Sequence, residues 1–528
     1  MPKNIIICSD GTGNVGVKNR GTNVYKLFES INVHTENPKQ IAFYDDGVGT
    51  QRLRLLSVPC KALGFGLREN IFDLYEAISR VYEDGDQLYF FGFSRGAFTV
   101  RMLAGLIAYC GIADGRCSTA NIRSISKRAW RAYRYRYATW IMRKLGRKTR
   151  EDAEKEIEMF RTKHEVRDPD IYFIGVWDTV DAYGLPFESV VNFWNTFVYR
   201  YTFPDHDLND KVHHARQALA IDDERRSFHP KLWNGTKSKN TTVVDERIRQ
   251  VWFPGVHSDV GGGYPKHGLS LLALDWMVSE SERCAAECKN RLGDNPSDED
   301  LLRSQGLKLI DADRKYIKDR SNSDDTMHNS RSGPAAYYQY APRNITAMCE
   351  ARKMEVIIHD SAVRRIWRAT QGYSPRVLPS EFSVENTGEG VSHTKCSIPG
   401  RPVYESVGRT IHVRKWNQRG IYVLTVSLAL LVVSVQWGSH GFTSVPGMFM
   451  SPLRLIDGLR GAYQDQPIIL SVIAILYLAL SFWSVRLRRK ISRTCTAQWD
   501  AWRLDAPALA SAPPRSGKEK DTSDNGDS

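Results

Sequence analysis

Paired cysteines are missing from this chain of 528 residues: nine Cys are scattered along it, none form a C-x-x-C pair, and only Cys284 and Cys288 stand close together. An odd count in a long chain, without a His-rich tract, excludes a disulfide scaffold and a zinc motif, and leads us to expect reduced thiols in a cytosolic compartment. A secretory leader is not expected either. The first apolar run, Ile5–Cys8, is four residues long and stops at Ser9-Asp10-Gly11, too short for a signal peptide and suited to a buried strand opening a folded domain. There is no internal repeat. A composition of 42% hydrophobic and 25% charged residues excludes wholesale disorder and collagen-like or coiled-coil chains. A mean hydropathy of −0.41 excludes a polytopic transporter but leaves room for one or two short apolar spans.

What is abundant is positive charge, +13 net, which points to nucleic acid or an anionic membrane surface. It is concentrated. Arg116–Arg150 holds twelve Lys/Arg, Arg409–Arg419 four and Arg486–Arg493 five, with no acid in any of the three, so the rest of the chain is net negative. The last two stretches flank charge-free runs, Ile421–Trp437 (17 residues) and Pro467–Val485 (19 residues), near the length that spans a bilayer. Trp416, Trp437 and Trp483 sit at the span ends, as in aromatic belts, and the loop between the runs is charge-balanced. The positive-inside rule then predicts a two-span membrane hairpin with both termini and the preceding domain cytoplasmic.

Upstream, short apolar strands (3–9, 41–45, 87–93, 171–177, 251–256) alternate with helical periodicity (68–83, 97–109), the pattern of βαβ units and a mostly parallel sheet with helices on both faces. Between the third strand and the second helix stands Gly92-Phe93-Ser94-Arg95-Gly96. G-x-S-x-G in a strand–turn–helix context places a serine on a strained elbow at a helix N-terminus, which marks Ser94 as a nucleophile. A serine hydroxyl needs a base, and the base needs an orienting acid, in the order Ser, Asp, His for this architecture. Asp178 directly ends the strand 171–177, and His257 follows the strand 251–256 and precedes a run of three glycines. Asp181, Asp222 and Asp223 compete with Asp178 for the acid role. The glycine-rich turn after the first strand offers backbone N–H groups of Gly11 and Thr12 as oxyanion donors, with the N–H of Arg95 as their partner. A phosphatase of the haloacid-dehalogenase type would need an aspartate where Cys8 stands, so Asp10 reads as structural, holding the turn.

The segments SDGTGN (Ser9–Asn14), YDDGVGT (Tyr44–Thr50), GFSRGAF (Gly92–Phe98) and GVHSDVGGGY (Gly255–Tyr264) together resemble the α/β-hydrolase domain of type VI secretion phospholipase effectors and their uncharacterised relatives. VWDTVDAYG (Val176–Gly184), AIDDERRSFHPKLW (Ala220–Trp233), IHDSAVRRI (Ile358–Ile366) and YSPRVLP (Tyr373–Pro379) extend the resemblance over roughly residues 3–380. It implies Ser94 as nucleophile, Asp178 as acid, His257 as base, and hydrolysis of phospholipid esters without metal or cofactor. Cys8-Ser9 departs from the bulkier pair usual before DGTGN.

The first basic stretch interleaves Trp130, Tyr133, Tyr135, Tyr137 and Trp140 with its cations. Beside a membrane hairpin this suggests a basic-aromatic helix on anionic headgroups, with Arg131, Arg134, Arg136 and Trp140 as contacts, in preference to nucleic acid. The expected organisation is an α/β-hydrolase domain over 1–380, with a basic insertion at 116–165 and an exposed polar excursion at 290–342. A juxtamembrane linker (381–420), the hairpin (421–485) and a basic segment with a disordered tail (486–528) follow. The function expected is a membrane-anchored serine esterase acting on phospholipids. Two alternatives are a catalytically idle membrane scaffold on the same fold, and a patatin-like dyad lipase with Asp259 as the partner of Ser94.

Overall fold

The computed structural model describes residues 2–11, 21–47, 65–114, 119–135, 150–164, 166–181, 206–235, 246–293, 296–385, 393–397, 403–440 and 452–505. Nine strands form one sheet: β1 (Asn4–Ser9), β2 (Gln40–Asp45), β3 (Gln87–Phe93), β4 (Ile171–Trp177), β5 (Val212–Ala220), β6 (Ile248–Phe253), β7 (Ile357–His359), β8 (Glu381–Glu385) and β9 (His393–Ser397). Their spatial order is β2-β1-β3-β4-β5-β6-β7-β8-β9, parallel throughout except for the last pair. β1, β3 and β4 are buried at every position, which explains their near-continuous apolar sequences: helices cover both faces of a parallel sheet.

The helices are α1 (Asn23–Ser30), α2 (Phe65–Val81), α3 (Arg95–Cys110), α4 (Thr119–Tyr135), α5 (Arg150–Lys163), α6 (His257–Gly261), α7 (Gly268–Asn290), α8 (Asp298–Gln305), α9 (Asp311–Arg320), α10 (Ile345–Glu350), α11 (Asp360–Trp367), α12 (Val403–His440), α13 (Pro452–Asp465) and α14 (Pro467–Asp505). Alternate strand residues feed two cores. Ile5, Ile7, Leu88 and Phe90 pack with α2 to α5 on one face. Ile6, Cys8, Tyr89 and Phe91 pack with α1 and α7 on the other. A third core joins β7 and β8 to α11 and to the inner ends of α12 and α14.

The chain goes from β1 to β2 on one side and then to β3 on the other, so the order reverses between β1 and β3. Open α/β sheets form their sites at the carboxyl ends of strands beside such a reversal. The register brings those ends level: Ser9 pairs with Gly92, Phe93 with Trp177, Trp177 with Ala218 and Ala220 with Phe253.

Several expectations need correction. Glu381–Glu385 and His393–Ser397 are not a linker, because as β8 and β9 they extend the main sheet. The polar excursion is partly folded onto the domain: α8 and α9 anchor through buried Leu302 and Ile317. The basic insertion is not a helix lying free on a membrane. Ile122, Ile125, Trp130 and Tyr133 of α4 belong to the first core, and Arg123 pairs with Glu69, Asp73 and Glu76 of α2. Arg131 is exposed, Arg134 lies 5.9 Å from the Trp130 ring centroid, and Arg136 and Trp140 lie outside the described residues.

Two helices, within α12 and α14, are long and apolar enough to cross a membrane. Both outrun the apolar stretches. Val403, Val407, Ile411, Ile491, Cys495, Trp499 and Trp502 at their inner ends are buried in the third core, so the basic flanks are helical extensions docked on the domain that holds the sheet. The segment between the two runs includes α13, and the tail beyond Asp505 is outside the described residues.

Candidate active site

Ser94 sits between β3 and α3 with φ 58° and ψ −119°, a conformation that L-residues rarely adopt and that the elbow enforces. Its amide donates to Trp177 O at 3.0 Å, tying the turn to β4. Gly96 makes the turn possible: a Cβ there would lie 2.1 Å from Ser9 O and 2.5 Å from Asp10 O, so the exit of β1 abuts the first turn of α3.

The Ser94 hydroxyl lies 2.8 Å from His257 Nε2, and His257 Nδ1 donates to Asp178 Oδ2 at 2.5 Å. The three side chains come from three different strand ends and are buried, Ser94 to 8% exposure and Asp178 to zero. The imidazole is held by aromatic rings: Phe93 is tilted against it at 4.7 Å and Phe228 meets it edge-on at 4.9 Å. A side chain at Gly261 would clash with Phe93, with a Cβ 1.9 Å from its ring.

Asp178 has a feature invisible in the sequence. Arg343, itself fully buried, forks onto it with Nη1 at 2.7 Å from Oδ1 and Nη2 at 2.7 Å from Oδ2. The same guanidinium donates to Phe228 O at 2.6 Å and to Ala220 O, and the Ala220 amide donates to Asp178 Oδ1 at 3.1 Å. Burial would raise the Asp178 pKa, but the Arg343 charge, the His257 hydrogen bond and the Arg343 hydrogen bonds outweigh it and hold the carboxyl well below its usual range. His257 is lowered, because burial disfavours the imidazolium more than Asp178 favours it.

The competing acids have other partners. Asp223 accepts the His257 amide at 3.2 Å and pairs with Arg225 at 2.7 Å. Asp222 accepts Gly255 N at 2.7 Å and the Tyr373 hydroxyl at 2.8 Å, and burial pushes its pKa up to about 6. Asp181 pairs with Lys231 at 2.8 Å. Asp259 accepts Val256 N at 3.0 Å and His328 Nδ1 at 2.6 Å, so it braces the loop after His257. His257, and not Asp259, is the side chain at hydrogen-bond distance from the Ser94 hydroxyl.

Asp10 holds the neighbouring turn. It accepts the Thr22 hydroxyl at 2.5 Å, the Tyr44 hydroxyl at 2.7 Å and the Gly11 amide at 2.6 Å. The Gly11 N–H is thereby engaged by Asp10, which corrects its expected role as a free oxyanion donor. Thr12 lies outside the described residues. The Ser9 hydroxyl donates to Asp45 at 2.7 Å, so the SDG and YDDG segments form one packed unit. The Arg95 backbone opens α3 directly after Ser94, and burial lowers its guanidinium to a pKa of about 10. Among the described residues no group of three His, Cys, Asp or Glu side chains converges as a metal site.

A mostly parallel sheet with an elbow serine at its switch point defines an α/β-hydrolase-like domain. Residues 3–280 match the family model described as T6SS, phospholipase effector Tle1-like, catalytic domain, and the chain belongs to that family. An uncharacterised protein of Saccharomyces cerevisiae is 28% identical over 240 residues, 43% of this chain and 32% of the relative, so the matched region spans about a third of that relative. A solved structure of an uncharacterised protein from Pseudomonas aeruginosa aligns at a TM-score of 0.35 and 15% identity, covering 70% of this chain and 54% of that one.

Proposed function

We propose that this protein is a membrane-anchored serine hydrolase that cleaves acyl esters of phospholipids. The observation that carries the reading is the hydrogen-bonded chain from Ser94 through His257 to Asp178. In this reading His257 Nε2 takes the Ser94 proton as the hydroxyl oxygen attacks the ester carbonyl, and Asp178 stabilises the imidazolium that forms. The oxyanion develops beside the N-terminus of α3, where the Arg95 amide and the helix dipole favour negative charge. Collapse of the tetrahedral species expels the alcohol, protonated by His257, and leaves an acyl group on Ser94. A water deprotonated by His257 then releases the fatty acid and restores the serine. Family membership supports the phospholipid class, and the two apolar helices support anchoring, with the catalytic domain on the cytoplasmic side by the positive-inside argument.

A fluorophosphonate probe should label the wild-type chain on Ser94 and leave Ser94→Ala unlabelled. Fatty-acid release from phospholipid vesicles should fall by about 10⁴-fold or more in Ser94→Ala. Labelling that survives the substitution, or equal release by both proteins, would reject the assignment of Ser94; absent labelling and absent release in wild type would favour the idle scaffold.

A further inference from the structure

A cavity of about 260 Å³ opens where α12 and α14 meet the loop around residues 329–340. None of Ser94, Asp178 and His257 lines it. Three arginines do: Arg331 from the loop, Arg414 from α12 and Arg488 from α14. Arg414 is 7% exposed, and its Nη1 has no hydrogen-bond partner. The Arg331 Nη1 is also buried without an acceptor, while its Nη2 donates to Ala336 O at 2.8 Å. Both guanidiniums lean on the ring of Tyr340, at 3.8 Å for Arg414 and 5.1 Å for Arg331.

Glu224 is the one acid among the described lining residues. It stands 4.0 Å from Arg414 Nη1, beyond hydrogen-bond reach, and its other oxygen is taken by Arg376. The cavity therefore holds more cationic than anionic charge, with two buried N–H groups lacking an acceptor. Buried donors are nearly always satisfied, so this arrangement is built for an anion. Tyr422, Tyr477, Ser481 and Ser484 also line the wall.

Position selects the anion. The cavity lies at the inner ends of the apolar stretches, where α12 and α14 pass from exposed apolar side chains to basic ones. Val423, Val426 and Leu430 of α12 and Val472, Ile475 and Leu476 of α14 are exposed beyond it. A molecule with its charge in the cavity would lay hydrocarbon along those side chains. Basic pockets between helices at the cytoplasmic boundary suit lipid headgroups. We propose that the cavity binds the phosphate group of an anionic phospholipid, a site separate from that at Ser94. It rests on the reading of α12 and α14 as membrane helices.

The test uses the full chain in detergent, with ether-linked lipids that no esterase can consume. Membrane fractionation comes first: wild type recovered in the soluble fraction would overturn the membrane reading itself, before any lipid is added. Retention of ether-linked phosphatidylglycerol and phosphatidylcholine is then compared by native mass spectrometry. Wild type should retain the anionic lipid about tenfold better. The Arg331→Gln/Arg414→Gln double variant should lose that preference with its membrane fraction unchanged. Arg488→Gln, at an exposed position that cannot unfold the domain, should lose part of it. Equal retention of both lipids by wild type, or an undiminished preference in all variants, would overturn the proposal. So would thermal stabilisation by inorganic phosphate as large as that by the anionic lipid, since the occupant would then be a free anion.

Discussion

Asp178 carries a charge with no exposure to water, and Arg343 makes that tolerable by meeting both carboxylate oxygens. Removing one partner of a buried pair leaves the other uncompensated, at a cost of about 3–5 kcal/mol. Arg343→Met should therefore lower stability by about that amount in denaturant titration. It should also let the Asp178 pKa rise, since the Arg343 charge and hydrogen bonds then no longer oppose burial and the His257 hydrogen bond is left to do so. The pH–rate profile offers a second check. Burial lowers the His257 pKa, so the neutral base persists below the ordinary histidine value of about 6.5, and activity should be lost only as pH falls further. Asp178→Asn removes the group that raises the His257 pKa, so the acid limb should move lower still while kcat falls by about 10⁴. A limb at or above the ordinary value would contradict the burial argument. Ser94, Asp178 and His257 were legible in the sequence because Ser94 and Asp178 directly follow apolar strands and His257 stands shortly after β6 and before a run of glycines. Arg343 was not, because its partner is 165 residues away and its neighbours Pro342 and Asn344 read only as a loop.

The elbow depends on how closely β1 and α3 approach. Any side chain at position 96 must displace the carbonyls of Ser9 and Asp10, which are backbone atoms of a buried strand end and cannot swing aside. Gly96→Ala should therefore cost about 1–3 kcal/mol, as overpacking does, and reduce turnover by more than the stability loss explains, because it shifts Ser94 itself. A wild-type kcat in that variant would refute the close-packing account. β1, β3 and β4 were readable as unbroken apolar runs, whereas β5 (VHHARQALA), the middle strand of the sheet, was not, because its His, Arg and Gln side chains mask a strand. β7 has three residues, below any periodicity threshold. Of the residues in α8 and α9, Leu302 and Ile317 are the buried ones, so two charged helices looked like a solvated excursion. β8 and β9 are short strands at the end of the sheet, β9 its edge, that complete it by pairing, a tertiary fact that local composition does not carry.

At the scale of the whole molecule, α12 and α14 each have two parts with opposite surroundings. Their inner ends bury Val407, Ile411, Ile491, Trp499 and Trp502 against the domain core, and Trp499 Nε1 donates to Pro375 O at 2.8 Å. Their outer parts expose Val423, Leu430, Ile468, Ile475 and Leu478, a display that a protein surrounded by water rarely sustains. The two parts should respond differently to substitution. Trp499→Ala empties a closed core position and should destabilise the domain by about 3–5 kcal/mol. Polar replacement of Ile468, Val472, Ile475 and Leu478 together removes no core contact. It should leave the melting temperature of the catalytic domain unchanged while shifting the protein from the membrane fraction toward the soluble one. If the outer replacements unfolded the domain as Trp499→Ala does, the apolar face would be core and not bilayer contact, and the anchoring reading would fall with it.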